Sequence, residues 1–153
     1  MVDCSILEPR YSIGNLSVED YDNGVLHVLS QLTTVGDVRR EDFNKFVKLQ
    51  QDNENHKTFV IKDVETNKVV GIATLLIEIK LIHGYSKVGH IEDVAIDKSV
   101  RGKKLGAYII RYLCELAKSR GCYKTILDCD DENVGFYEKC GLSRRGVEME
   151  YRD

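Results

Sequence analysis

The sequence predicts an α/β (α+β) domain, a mixed and mostly antiparallel central sheet flanked by helices. Three observations lead there. Two apolar segments, 58–63 and 69–80, flank the polar turn 65–68 with no space for a helix, so they pair as a hairpin. A third strand-like segment, 87–96, follows after a short connection. The strand-helix-strand order over 87–129 then predicts one local parallel pair, because parallel neighbours need a long crossover.

The elements follow in order. Residues 4–11 read as a first strand. Ser17 is a candidate helix cap, with Glu19 and Asp20 in the first turn, and Tyr21, Val25, Val28, Leu29 and Leu32 recur on one helical face. A second helix over 40–52 turns Phe43, Phe46 and Val47 inward. Beyond the hairpin and the 87–96 strand, residues 105–120 carry the clearest helical pattern. Leu105, Ile109, Tyr112, Leu113, Leu116 and Ala117 share a face, and Gly121 is the stop. A strand over 124–129, a short helix over 133–139 ended by Gly141, and a last strand over 147–151 complete the order β-α-α-β-β-β-α-β-α-β.

A chain of 153 residues without linker or repeat is expected to form one domain over 1–153, large enough to bury its own core. With 42% hydrophobic and 31% charged residues it reads as globular rather than disordered or fibrous. A net charge of −3 gives no general attraction for nucleic acid or anionic membranes. The longest apolar run, 69–82, is interrupted by Thr74, Glu78 and Lys80, so no membrane span is expected. Five cysteines, an odd number with no Cys-x-x-Cys pair, argue against a disulfide framework or a zinc site. Reduced cysteines and an N-terminus without a signal-peptide pattern fit a cytoplasmic protein, and the four histidines show no metal-ligand spacing, so no metal is expected.

Three segments carry chemistry. The first, 96–107, joins a strand to the strongest helix and contains Arg101-Gly102-Lys103-Lys104-Leu105-Gly106. A helix start has unpaired backbone N–H groups and favours an anion, and glycines let a pyrophosphate approach the backbone. The second, Gly89-His90-Ile91-Glu92-Asp93-Val94-Ala95-Ile96, sets two acids side by side in an apolar strand. Alternation sends Glu92 and Asp93 to opposite faces unless a bulge splays them. The third, 127–142, contains Asn133-Val134-Gly135-Phe136-Tyr137 followed by Lys139-Cys140-Gly141-Leu142. Cys129 has no histidine partner in sequence and is read as packing rather than as a nucleophile.

These segments resemble the GNAT superfamily of acyl-CoA N-acyltransferases. Arg101 and Gly106 match the ends of its acyl-CoA loop, with Lys104 where the middle glycine usually sits, and the 133–142 segment matches its C-terminal motif. Four further pieces, 32–36, 89–95, 121–129 and 146–152, are similar to one branch, the eukaryotic glucosamine 6-phosphate N-acetyltransferases.

The resemblance implies a GNAT fold with a splayed pair of strands, acetyl-CoA as co-substrate, an amino-sugar phosphate as acceptor and a homodimer. It implies that Val94, Ala95, Ile96, Arg101, Gly102, Lys103, Lys104, Leu105, Gly106, Ala107, Asn133 and Tyr137 hold acetyl-CoA. Thr33, Lys80, Leu81, Ile82, His83, Glu92, Asp93, Tyr123, Lys124, Asp128 and Arg152 are the implied acceptor positions, with Tyr123, Lys124 and Arg152 on the phosphate. Transfer is expected to be direct. A backbone N–H near Val94 would face the oxyanion, and Tyr137 would assist the departing thiolate. Glu92, Asp93, water or no dedicated base would take the amine proton. Two other readings stay open: a GNAT enzyme for a protein lysine, N-terminus or polyamine, and a non-catalytic CoA-binding module.

Overall fold

The computed structural model describes residues 7–153. Five strands form one sheet in the order β1-β2-β3-β4-β5: Tyr11–Asn15, His56–Asp63, Val69–Ile79, Lys87–Ile96 and Cys122–Ile126. The first three pairings are antiparallel, and β4 pairs with β5 in parallel, so the mixed sheet expected from the sequence is present.

Strand alternation splits the apolar residues between two layers. On one face α1 (Val25–Ser30) and α2 (Arg40–Gln51) bury Val25, Val28, Phe43 and Val47 against Val60, Val69 and Ile72. On the other, α4 (Leu105–Ser119) buries Leu105, Ile109, Ile110, Leu113 and Ala117 against Phe59, Ile61, Leu75 and Ile91. Each of the larger side chains among these contributes about 1.5–3 kcal/mol by leaving water. Two short helices complete the chain, α3 (Ile82–Tyr85) between β3 and β4 and α5 (Val134–Lys139) after β5. No helix of the described residues is long and apolar enough to cross a membrane.

Buried polar groups are tied down, as burial requires. Gln50 donates from Nε2 to Thr58 Oγ1 at 2.9 Å and accepts the Thr58 N–H at 2.8 Å. Fully buried Asp20 accepts the Ser17 N–H at 2.8 Å and forms an ion pair with Lys62.

Several expectations are corrected. The first strand is Tyr11–Asn15 rather than 4–11. Pro9 sits in a turn closed by the Tyr11 N–H on Glu8 at 2.9 Å, and pairing begins only where Tyr11 faces Asp63; residues 4–6 of that expectation lie outside the described residues. The helix expected after Ser17 is broken into a 3-10 turn, Val18–Tyr21, and α1, because Gly24 takes a left-handed φ of 88°. Phe46 is 39% exposed, edge-on to His56, since Phe43, Val47 and Gln50 already occupy the inward face of α2. The strand expected at 124–129 is Cys122–Ile126, ending where its pairing with β4 ends. The last expected strand, 147–151, is not formed: the segment pairs with no strand among the described residues, and Val147, Met149 and Tyr151 are 84%, 89% and 91% exposed.

Candidate active site

The site begins where two strands separate. The β4–β5 register runs from Lys87 opposite Cys122 to His90 opposite Ile126 and stops there. β4 continues to Ile96 without a neighbour on that side, which frees a row of backbone groups. The resulting open groove of about 930 Å³ runs along β4, past the chain leaving β5, to the start of α4 and the inner side of α5.

A bulge decides which side chains enter it. Thr74 pairs with Glu92 and Ile72 with Ala95, so Asp93 and Val94 together oppose Ala73. Asp93 adopts φ 51°, a left-handed conformation that Asp tolerates better than most residues. The extra residue resets the alternation. Ile91 and Val94, three apart, both pack on the α4 side, while Ala95 joins the α1–α2 side. Glu92 and Asp93 therefore both line the groove, as the splaying alternative required.

At the far end the chain prepares α4 for an anion. Gly102 (φ 88°) and Lys104 (φ 63°) are both left-handed, and α4 starts immediately after with its first N–H groups unpaired by the helix. The stretch 101–104 is exposed throughout, and Arg101, Lys103 and Lys104 make it positive. Gly106 has a packing role as well. A Cβ there would come within 3.1 Å of the Phe136 ring, so α5 closes this tightly against α4 over a glycine, and a larger residue would have to push the ring aside.

Electrostatics sort the titratable groups. Burial, then Asp128 and Asp93, hold the Glu92 carboxyl above its ordinary range, which makes it a better proton acceptor. Burial above all pushes the Tyr137 phenol up to about 12, with Cys129, Cys140 and Asp128 adding to it, so it keeps its proton. Burial, Asp128 and Asp130 raise the Cys129 thiol, which disfavours a nucleophilic thiolate.

Of the residues expected to hold acetyl-CoA, all except Lys103 line the groove, and so do the proposed catalytic residues Glu92, Asp93 and Tyr137. The acceptor set is divided. Glu92, Asp93 and Asp128 line the groove, whereas Thr33, Lys80, Leu81, Ile82, His83, Tyr123, Lys124 and Arg152 do not. His83 stacks on Tyr123 with ring centroids 4.2 Å apart, Lys124 lies 5.6 Å from the same ring, and Arg152 pairs with Glu150 at 2.8 Å on the exposed C-terminal segment. Gln31 and Glu148 are among the groove residues to which the sequence reading gave no role. Gln31 lies at the end of α1, just before the 32–36 piece rather than within it, and Glu148, whose carboxyl is raised by a hydrogen bond with Asp128, was hidden in the expected last strand.

Comparison with known proteins agrees with this geometry. The profile of the acetyltransferase (GNAT) family matches residues 25–142. A glucosamine 6-phosphate N-acetyltransferase of Candida albicans is 45% identical over 145 residues, spanning 94% of this chain and 97% of that protein. Its counterpart in Arabidopsis thaliana is 39% identical over 91% of this chain and 94% of its own length. The crystal structure of glucosamine-6-phosphate N-acetyltransferase from Arabidopsis thaliana superposes with a TM-score of 0.88 at 38% identity, covering 93% of this chain and 97% of that one. With the family profile spanning most of the chain and close relatives matching it almost end to end, this protein belongs to the GNAT family of acetyltransferases.

Proposed function

We propose that this chain transfers an acetyl group from acetyl-CoA to the amine of glucosamine 6-phosphate, giving N-acetylglucosamine 6-phosphate and CoA. Transfer is direct, with no acyl-enzyme, and the product feeds UDP-N-acetylglucosamine synthesis in the cytoplasm. Residues 1–153 act as a single N-acetyltransferase domain.

The observation that carries this reading is the opening between β4 and β5, where unpaired strand backbone, a positive helix start and the Glu92–Tyr137 pair of proton-handling groups meet in one groove. The groove suits acetyl-CoA. The free edge of Val94, Ala95 and Ile96 can pair with the amides of an extended arm as an added strand would. The N–H groups of 102–107, with Arg101, Lys103 and Lys104 beside them, suit a pyrophosphate. Asn133, at the start of α5, closes the side of the groove.

Acetyl-CoA supplies the activated acetyl thioester, and the chain supplies position and proton handling. Glu92 orients the amine and takes its proton, and Asp93 on the bulge is the alternative acceptor. A backbone N–H near Val94, unpaired on the groove side, offers a hydrogen bond to the carbonyl oxygen as charge develops there. Tyr137 acts by donating a hydrogen bond to sulfur. A phenol pushed up to about 12 is a weaker acid than a thiol and so keeps its proton beside a thiolate.

The acceptor sugar is held by Glu92, Asp93 and Asp128 inside the groove and by Thr33, Lys80–His83, Tyr123, Lys124 and Arg152 outside it, the last three serving the phosphate. The separation of these groups supports a homodimer in which one chain completes its partner's acceptor site. Among the described residues no strand pairs with the outer edge of β5, and the alternating apolar residues Val147, Met149 and Tyr151 of the C-terminal segment are exposed.

Thiol release from acetyl-CoA tests the reading, with glucosamine 6-phosphate, glucosamine, spermidine and a lysine peptide as acceptors. Turnover confined to the phosphorylated sugar is the expected result. Equal turnover of glucosamine removes the phosphate assignment, and turnover of spermidine or peptide moves the chain to another GNAT branch. Intact acetyl-CoA binding with no turnover of any acceptor reduces it to a binding module.

A further inference from the structure

Gln31 ends α1 with a side chain that reaches across to a loop 66 residues away in sequence. Its Nε2 donates to Asp97 Oδ2 at 3.3 Å, and its Oε1 accepts the Lys98 N–H at 2.8 Å. Both ends of one amide are thus spent on the first two residues of the β4–α4 loop. The other Asp97 oxygen accepts the Ser99 N–H at 2.8 Å, and the Asp97 N–H donates to Val70 at 2.8 Å, so the loop is pinned at its root. A primary amide offers a donor to a carboxylate and an acceptor to an N–H from two separate atoms of one planar group, and asparagine falls a methylene short.

The other side of Gln31 is the acceptor segment. Leu32 lines the groove next to it, and Thr33 follows, with its N–H held by Leu29 at 3.2 Å. α1 itself is fixed to the sheet by Val25 and Val28, in the same cluster as Ala95 just past the bulge. One side chain therefore bridges two segments that the proposed reaction uses for different substrates.

We infer that Gln31 is a positioning residue that couples the acceptor segment 32–36 to the anion-binding loop 97–104, so that each substrate binds better when the other's segment is in place. The inference rests on the acetyl-CoA reading of the groove. It requires the two binding energies to be linked, and linkage is reciprocal.

The test uses the full chain with acetyl-CoA or CoA as titrant and glucosamine 6-phosphate as acceptor. Gln31→Met removes both hydrogen bonds with little change in volume. The expected result is a dissociation constant for CoA about tenfold higher, and a similar rise in KM for the sugar, from losing two net hydrogen bonds. The melting temperature reports whether the variant is folded.

The discriminating variants are Gln31→Glu and the pair Gln31→Glu/Asp97→Asn. The single variant sets two carboxylates face to face and weakens both substrates. The pair restores both hydrogen bonds, the one to residue 97 with donor and acceptor exchanged and the one from the Lys98 N–H in its original direction, and recovers CoA affinity and sugar KM to within about threefold of the original, a coupling that two independent sites would not show. Additive losses in the pair, or unchanged constants in Gln31→Met, overturn the inference. A parent chain that binds no CoA overturns the acetyl-CoA reading instead, so the two failures are told apart.

Discussion

The two halves of the proposed site, one for the cofactor and one for the acceptor, are built differently. The cofactor half is made within a few consecutive stretches of one chain, and mainly by backbone: a freed strand edge, a bulge, two left-handed turns and a helix start. The acceptor half is made of side chains from five separate places. Most of them are exposed, and one cluster, His83 with Tyr123 and Lys124, stands apart from the groove. A backbone site can be complete in one chain. A side-chain site gathered from loops and a trailing segment is complete only when something holds those pieces together.

Changes to each half sharpen that contrast, starting with the largest. Tyr137→Phe should lower turnover about 100-fold, the lower end for a group handling a proton or its hydrogen bond, with acetyl-CoA affinity nearly unchanged. Paired thiol-release and calorimetric titrations read both, and normal turnover would end its assigned role.

Next is Val147→Asp with Met149→Asp. Light scattering should show monomers where the parent chain gives dimers, and sugar turnover should fall at least tenfold while CoA still binds. Equal loss of both substrates would break the distinction between the halves.

Arg152→Ala should raise KM for glucosamine 6-phosphate about tenfold or more, the scale of one charge-assisted hydrogen bond, while leaving KM for glucosamine unchanged.

pH offers a subtler test. Glu92 must be ionised to take a proton, and burial with Asp128 and Asp93 raises its carboxyl above the ordinary 4.5. Activity should therefore fall on acidification at a pH higher than an exposed glutamate would give, and Glu92→Gln should lower turnover and remove that limb.

The smallest effect concerns Lys104. Glycine there relieves a left-handed conformation costing about 1–2 kcal/mol and loses part of that to chain entropy, for a net gain near 0.5 kcal/mol and a melting rise of about 1–2 °C. The lost charge should weaken CoA at low salt only.

What could be read from sequence follows the same division. β4 and α4 were legible because each has a strong period and a sharp end, Gly121 in the case of α4. The anion loop was legible because helix starts and glycines speak locally. The outer strands were not, since strand length is fixed by a neighbour. Tyr11–Asn15 is a strand because it faces Asp63 through Phe59. The 147–151 alternation is real but finds no partner strand among the described residues. Two adjacent acids in an apolar strand hinted at the bulge without fixing its place. Gln31 gave no hint, because its meaning lies in two groups remote in sequence.

The single inserted residue in β4 can be removed without disturbing the layers beyond it. With Asp93 deleted, Val94 would oppose Ala73, and the ladder would run unbroken from Glu92 opposite Thr74 to Ala95 opposite Ile72. Ile91 and Val94 would stay on the α4 side and Ala95 among the residues of α1 and α2. What would go is the left-handed turn at Asp93, with a carboxylate that lines the groove and the local bend that a bulge gives a strand. The extra residue thus shapes the groove rather than the core, and its loss should cost more in function than in stability.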